Sequence, residues 1–537
     1  MKHPLITLAA LLLTPLLSHD AEAQAADSTK VEPGSKKPNV VFILADDLGW
    51  KDTSLYGSSF YETPNIDRLA KRGMLFTQAY AASPLCSPTR GSILTGLYPG
   101  RIGITTPCGH EPAVRLEATL AAKAQPYQRV LQPTSASRLK TEYYTLAEAF
   151  HDDGYVTGHF GKWHLGQEPY SPLQQGFDVD VPHTSGPGPA ASYQGPWKFP
   201  PQLNFIGQPG ENIEDRIAEE AIKFLKTNKD KPFYLNYWAF SVHAPWDSKP
   251  EVVEKYHDKA KPDSAQRNPV YGAMVETFDK NIGKLLDTLD ELKIADNTII
   301  VFFSDNGGVD DPGGKLCLIP GYGDIPVTSN APLRGEKATI YEGGTREPCV
   351  VVWPGKVKAG SQSDALFSSV DWYPTLLDMT GVTPKQVVNF DGVSEVPALL
   401  GKGAPRDTAF CFFPHYVRGT FPAVWVRRGD WKLIRFFCDS PEQTDRFELY
   451  NLKEDLGESK NLAAEHPDKV KELDALISEH LKEINAVIPV KSPTFDPSAK
   501  MPPVPTVELR KKEPAATNNE SAAKDIRQNL EKKSDSL

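Results

Sequence analysis

The stretch NVVFILADDLGW, residues 39–50, decides the fold. Residues 40–45 are one continuous apolar run, the pattern of a strand buried on both faces, and the run stops at Asp46 and Asp47. The pattern recurs in TIIVFFS (298–304), which stops at Asp305 and Asn306, and in PFYLNYWAF (232–240), which runs out into Ser241, Val242 and His243. A shorter strand over 155–159 leads at once into GKWHLG, carrying Lys162 and His164. Amphipathic segments separate these runs: 66–73, 144–154, 214–227, 371–381 and, longest, 270–292, where Met274, Phe278, Ile282, Leu285, Leu289 and Leu292 recur at helical spacing. Buried strands alternating with helices predict an α/β fold: a large, mostly parallel sheet with helices on both faces.

From residue 409 the pattern changes to AFCFF, AVWVRRGDWKLIRFF and FELYNL, with Gly429 and Asp430 as a two-residue turn. These runs predict a smaller C-terminal antiparallel sheet, covered by a helix over 467–484. Lys2, His3, the apolar run 5–17 and the AEA triplet 21–23 read as a signal peptide, which implies export to a periplasm or the exterior. The expected organisation is a signal peptide (1–23), a linker (24–37), a catalytic α/β domain (38–405), a C-terminal α+β subdomain (406–492) and a disordered tail (493–537). No segment after the signal peptide is long and apolar enough to span a membrane.

The net charge of -10 in 537 residues argues against a nucleic-acid partner but leaves a locally basic pocket for a small anion possible. Six cysteines in an exported chain allow disulfides, with Cys411 and Cys438 a plausible pair within one sheet. Their spacing offers no zinc site.

The polar residues fall at the C-terminal ends of predicted strands, the edge at which open parallel sheets bind ligands. Asp46, Asp47, Asp305 and Asn306 offer oxygen donors, which suit a hard cation; each pair alone would also serve as a helix cap. In SPLCSPTRGSILTG (83–96), Ser87 and Pro88 suit a helix start and Gly96 a stop. Cys86 then sits at a helix N-terminus, where free amides and the dipole favour an anion and a thiolate. Arg90, on the positive end of that helix, needs a partner to hold it there. Tyr193, Trp197, Trp246 and His183 lie on loops expected near this rim, where they suit stacking on a sugar or ordinary loop packing.

The ordered motifs ADDLGW, CSPTRGSILTGLYP, GKWHLG, SVHAP, SDNGG and LRGEKATIYEGGTREP together resemble the type I sulfatases of the alkaline phosphatase superfamily. The resemblance implies that Cys86 is oxidised to formylglycine by a dedicated formylglycine-generating enzyme. It further implies calcium, in preference to magnesium, held by Asp46, Asp47, Asp305, Asn306 and the modified Cys86. Arg90 would hold formylglycine and the carboxylates, and Lys162 and Lys337 would bind sulfate oxygens. Asp305 would accept a proton from the nucleophile, His243 would protonate the leaving group, and His164 would assist release of sulfate. A sulfated carbohydrate is the expected substrate. Two rivals remain: a phosphate-ester or phosphonate hydrolase of the same superfamily, and an inactive glycan-binding homologue with Cys86 unmodified.

Overall fold

The computed structural model describes residues 36–417 and 420–500. The expected signal peptide and nearly all of the linker lie outside these residues, as does the tail beyond residue 500. The first residues of the expected tail pack on the body, since Asp496 N–H donates to the Pro126 carbonyl at 2.8 Å.

The main sheet has nine strands. In chain order they are β1 (Asn39–Ala45), β2 (Met74–Tyr80), β3 (Val156–Gly161), β4 (Val179–Val181), β5 (Phe233–Trp238), β6 (Thr298–Ser304), β7 (Arg346–Val352), β8 (Ser361–Ser363) and β9 (Phe367–Ser368). They run side by side as β8-β2-β7-β6-β1-β5-β3-β4, with β9 also on β2. Only β7 runs against its neighbours; every other pairing is parallel. The expected α/β architecture is therefore the one found.

β1 shows why a continuous apolar run makes a central strand. Val41 and Ile43 enter one core, with α1 (Pro64–Arg72), α4 (Ile213–Asn228), α5 (Pro250–Lys259) and α6 (Pro269–Glu291) on that face. Val40, Phe42 and Leu44 enter the other, with α2 (Cys86–Thr95), α3 (Leu146–Asp152) and α7 (Trp372–Thr380). Side chains alternate across a strand, so a strand covered on both sides needs apolar residues at every position. The α6 stripe is buried at Met274, Phe278, Ile282, Leu285 and Leu289. Each such burial contributes about 1.5–3 kcal/mol.

The second sheet is the antiparallel meander β10 (Thr408–Phe413), β11 (Ala423–Arg428), β12 (Trp431–Phe436) and β13 (Arg446–Asn451). Gly429 takes φ +58° in the turn that pairs Arg428 with Trp431, as a two-residue hairpin loop requires. Leu473, Ile477 and Leu481 of α8 (Pro467–Glu483) pack with Val424, Val426 and Leu433 of this sheet. Buried Lys432 joins it to the main body, at 2.9 Å from Glu342 and 2.8 Å from Glu458.

Three local expectations need correction. Helix α2 starts at Cys86, not at Pro88; Pro88 is its third residue, where a missing N–H costs nothing because first-turn amides have no intrahelical acceptor. Residues 120–142, polar and without a clear period in the sequence and so expected as a surface loop, are buried in part, with Ala136 and Leu139 in the core. Cys411 and Cys438 are both free thiols.

Candidate functional site

Four adjacent strands, β6, β1, β5 and β3, end at one edge, and their ladders continue past the last strand residues. Asp305 N–H donates to Ala45 O at 3.1 Å, Asp46 N–H to Ser241 O at 2.9 Å, Val242 N–H to Asp46 O at 2.7 Å, and Lys162 N–H to Trp238 O at 2.7 Å. Main chain alone thus fixes the loops carrying Asp46, Asp47, Lys162, His243, Asp305 and Asn306. Gly109 lets a further loop close on this edge: a Cβ there would stand 2.2 Å from the His164 carbonyl oxygen.

The Cys86 thiol lies 3.5 Å from Asp46 Oδ1 and 4.0 Å from Asp47 Oδ1. Lys162 Nζ donates to Asp46 Oδ2 at 2.6 Å, and Lys337 Nζ to Asp47 Oδ2 at 2.7 Å. Arg90 has the partners its position demanded: Nε and Nη2 reach Asp305 Oδ2 at 2.9 and 2.8 Å, Nη1 donates to Lys162 O at 2.6 Å, and Nη2 stands 3.7 Å from Asp46. Asn306 Nδ2 donates to Asp47 Oδ1 at 2.8 Å. His243 Nε2 lies 3.8 Å from Asp47 Oδ2, and its Nδ1 faces Ala244 O at 2.6 Å, which makes Nδ1 the donor. His164 Nε2 lies 2.9 Å from His110 Nδ1, while its own Nδ1 is buried without a partner. The sequence-predicted residues thus form one cluster, and three carboxyl groups meet three basic side chains within it.

Burial and charge set the protonation states. Burial pushes the Cys86 thiol up to about 12, and the nearby lysines only soften this, so the thiolate expected from the helix N-terminus does not form. Burial would also raise Asp47, but Lys337, His243 and Lys162 overcome it and hold its carboxyl well below the usual range. Burial, reinforced by the Asp46 charge and opposed by Arg90, lifts Asp305 to about 6. His243 is lowered to about 3 by burial and then by Lys337 and Lys162. His164 is lowered well below its usual value by burial and then by Lys162.

The donor set fits a hard divalent cation. Its oxygens come from carboxylates and an amide, and Asn306 Oδ1 is buried with no hydrogen-bond partner, an acceptor left for a ligand. Ligand atoms of Asp46, Asp47, Cys86 and His243 all fall within 4.8 Å of one another.

Glu214 escaped the sequence reading, and for Tyr193 the structure decides between the two roles left open. Glu214, in the first turn of α4, accepts the Phe240 and Ser241 amides at 2.9 Å each and so braces the His243 loop. Tyr193 is buried, its hydroxyl donating to Phe240 O at 2.6 Å and His243 O at 3.0 Å, so it is a brace and not a sugar platform. Trp197 and Trp246 are likewise buried, Trp197 stacking on Phe205. His183 Nδ1 pairs with Asp180 Oδ2 at 2.7 Å. Loop packing accounts for the three buried aromatics.

Known proteins share this arrangement of sequence and fold. The model of the sulfatase family matches residues 38–382, and that of the N-sulphoglucosamine sulphohydrolase C-terminal region matches residues 335–487. N-acetylgalactosamine-6-sulfatase of Canis lupus familiaris is 32% identical over 496 residues, covering 83% of this chain and 86% of the relative. N-acetylgalactosamine-6-O-sulfatase of Bacteroides thetaiotaomicron is 30% identical over 521 residues, covering 82% and 93%. A protein solved in complex with its substrate D-glucosamine-2-N,6-O-disulfate superposes with a TM-score of 0.65 at 25% identity, over 84% of this chain and 98% of that one.

Proposed function

Because the chain belongs to the sulfatase family and is a sulfuric ester hydrolase by that membership, we propose that its substrate is a sulfated carbohydrate and that Cys86 acts as formylglycine beside calcium. The observation that carries this reading is the buried Cys86 thiol beside Asp46 and Asp47, with a lysine on each carboxylate. Relatives named for sulfated sugars support the substrate class. The sequence signature of a signal peptide supports export.

Asp46, Asp47, Asp305 and Asn306 would hold the cation, with the modified Cys86 as a further ligand. When both groups are present, the cation supplies two positive charges and Lewis acidity to a cluster whose own charges cancel, and formylglycine supplies the nucleophilic hydroxyl. Lys162 and Lys337 bind sulfate oxygens and stabilise the negative charge that grows on them. Arg90 fixes Asp305 and Asp46 against the site through a buried guanidinium. Asp305 accepts the proton of the attacking hydroxyl at its carboxylate, a task suited to a group raised to about 6.

His243 protonates the leaving alkoxide from Nε2. Its Nδ1 donates to Ala244 O, which turns Nε2 toward Asp47 and the reacting group. Burial and then the two lysines disfavour imidazolium at His243; an anionic sulfate between the lysines offsets their share and so favours the protonated acid when substrate binds. His164 accepts a proton at its unpartnered Nδ1 as inorganic sulfate is freed.

Paired assays with 4-nitrophenyl sulfate, 4-nitrophenyl phosphate and 6-O-sulfated N-acetylgalactosamine test the reading. Turnover of the sulfates well above the phosphate is expected. Preference for the phosphate ester would favour the phosphohydrolase rival, and a Cys86 that stays unmodified, with no turnover of either ester, would favour the glycan-binding one.

A further inference from the structure

A cavity of about 440 Å³ opens beside the loop that follows Asp47, and its walls carry Lys51, Lys259 and Lys261. That volume lies within the range of small-ligand pockets. The lysines come from two separate parts of the chain: Lys51 from the loop after β1, Lys259 from the last residue of α5, and Lys261 from just beyond it. Their charges are unequally spent. Lys259 Nζ donates to Phe60 O at 2.7 Å and Glu62 Oε1 at 2.9 Å. Neither Lys51 nor Lys261 has a carboxylate partner among the described residues. Two unbalanced ammonium groups thus face one hollow in a chain whose net charge is -10.

The cavity wall is rigidly built. Gln266 Nε2 donates to Lys51 O, Asp52 Oδ1 and Ser329 O at 3.1, 3.0 and 3.2 Å, and its Oε1 accepts the Ser58 hydroxyl at 2.8 Å. The same wall is tied to the site: Tyr271 hydroxyl bridges Asp52 Oδ2 at 2.6 Å and Asp47 O at 3.2 Å. Lys51 follows Asp47 by four residues, so their Cα atoms are at most about 14 Å apart.

We propose that this cavity is a second anion subsite, which takes a sulfate or carboxylate of a neighbouring sugar while the reacting sulfate ester sits among Lys162, Lys337 and Cys86. The inference rests on the carbohydrate substrate class proposed above. Lysines held on a fixed wall act as point charges for an anionic group and favour a chain with several anions over a single sulfated sugar. Because Lys261 is exposed and Lys51 half-buried, the contribution of the contact falls as salt rises.

The test uses the full chain with lysines intact and the Lys51→Ala/Lys261→Ala double variant. The probes are N-acetylgalactosamine-6-sulfate and a sulfated galactosaminoglycan tetrasaccharide with several anionic groups. In low salt the double variant is expected to raise KM for the tetrasaccharide about tenfold, with kcat and the monosaccharide kinetics unchanged; Lys51→Arg/Lys261→Arg should restore KM. Calorimetric binding of the tetrasaccharide to Cys86→Ser protein, with and without the two lysine substitutions, reads the same contact without turnover and should weaken about tenfold. Equal KM changes for both probes, or unchanged tetrasaccharide binding, would overturn the subsite. If wild-type protein turns over neither probe, the substrate reading fails, and the binding arm still decides the subsite: an unchanged or absent tetrasaccharide affinity rejects it.

Discussion

Replacing Arg90 by methionine tests whether the cluster is held by charge. The guanidinium and its Asp305 and Asp46 partners are fully buried, and Arg90 makes three contacts at 2.6–2.9 Å, two to Asp305 and one to Lys162 O. Breaking a buried pair by removing one member costs about 3–5 kcal/mol, because the other charge is left without compensation. The cost should depend on pH. Burial, with the Asp46 charge, already raises Asp305 from 3.8 to about 6 against the pull of Arg90. A group raised in the folded state keeps a proton that the unfolded chain releases, so stability falls as pH climbs from about 4 through 6. Without Arg90 that window extends further upward. Urea unfolding of wild-type and Arg90→Met protein in EDTA, followed by tryptophan fluorescence, should therefore show a loss of about 3–5 kcal/mol at pH 7.5. At pH 5, where Asp305 is protonated, the loss should shrink toward the cost of missing hydrogen bonds, about 1–3 kcal/mol. A variant as stable as wild type at pH 7.5, or a loss that grows on acidification, would refute the reasoning.

Lys162→Ala and Lys337→Ala should each lower kcat on 4-nitrophenyl sulfate a few hundredfold, equivalent to about 3–4 kcal/mol of barrier, while circular dichroism stays unchanged. Cys86→Ser should abolish steady-state turnover, since a serine sulfate ester has no second hydroxyl with which to expel sulfate. Glu214 is raised from 4.5 to about 8 by burial, despite accepting the Ser241 and Phe240 amides, so it is mostly protonated at pH 7. Its proton-linked stability declines as pH rises from 4.5 through 8; Glu214→Gln should remove that slope in urea titrations while staying within about 1 kcal/mol of wild type at pH 6. Dialysis against EDTA should remove activity on 4-nitrophenyl sulfate, and calcium should restore more of it than magnesium.

The strands and the residues just beyond them were legible because a doubly covered strand leaves an unbroken apolar run that ends where the chain turns polar. Thr298–Ser304 was readable to the residue, and Asp305 and Asn306 followed at once. The braces were not legible. Glu214 looks like any acidic residue in the first turn of an amphipathic helix, and only the folded loop brings the Phe240 and Ser241 amides to it. Tyr193 stands in a Gly- and Pro-rich stretch that reads as surface, yet it is buried. His110 carries no local pattern, and its tie to His164 comes from the close approach that Gly109 permits. The thiolate expected at Cys86 failed for a different reason. A helix N-terminus stabilises negative charge by up to about 2 kcal/mol, whereas complete burial of a thiolate costs more.

The central claim, that Cys86 is the seat of catalysis, is tested most directly by the mass of the tryptic peptide containing it. The protein should be produced with a formylglycine-generating enzyme and purified with calcium. A loss of about 18 Da relative to the thiol peptide is the predicted result, because the aldehyde replaces the thiol. An intact, alkylatable thiol under those conditions would contradict the account.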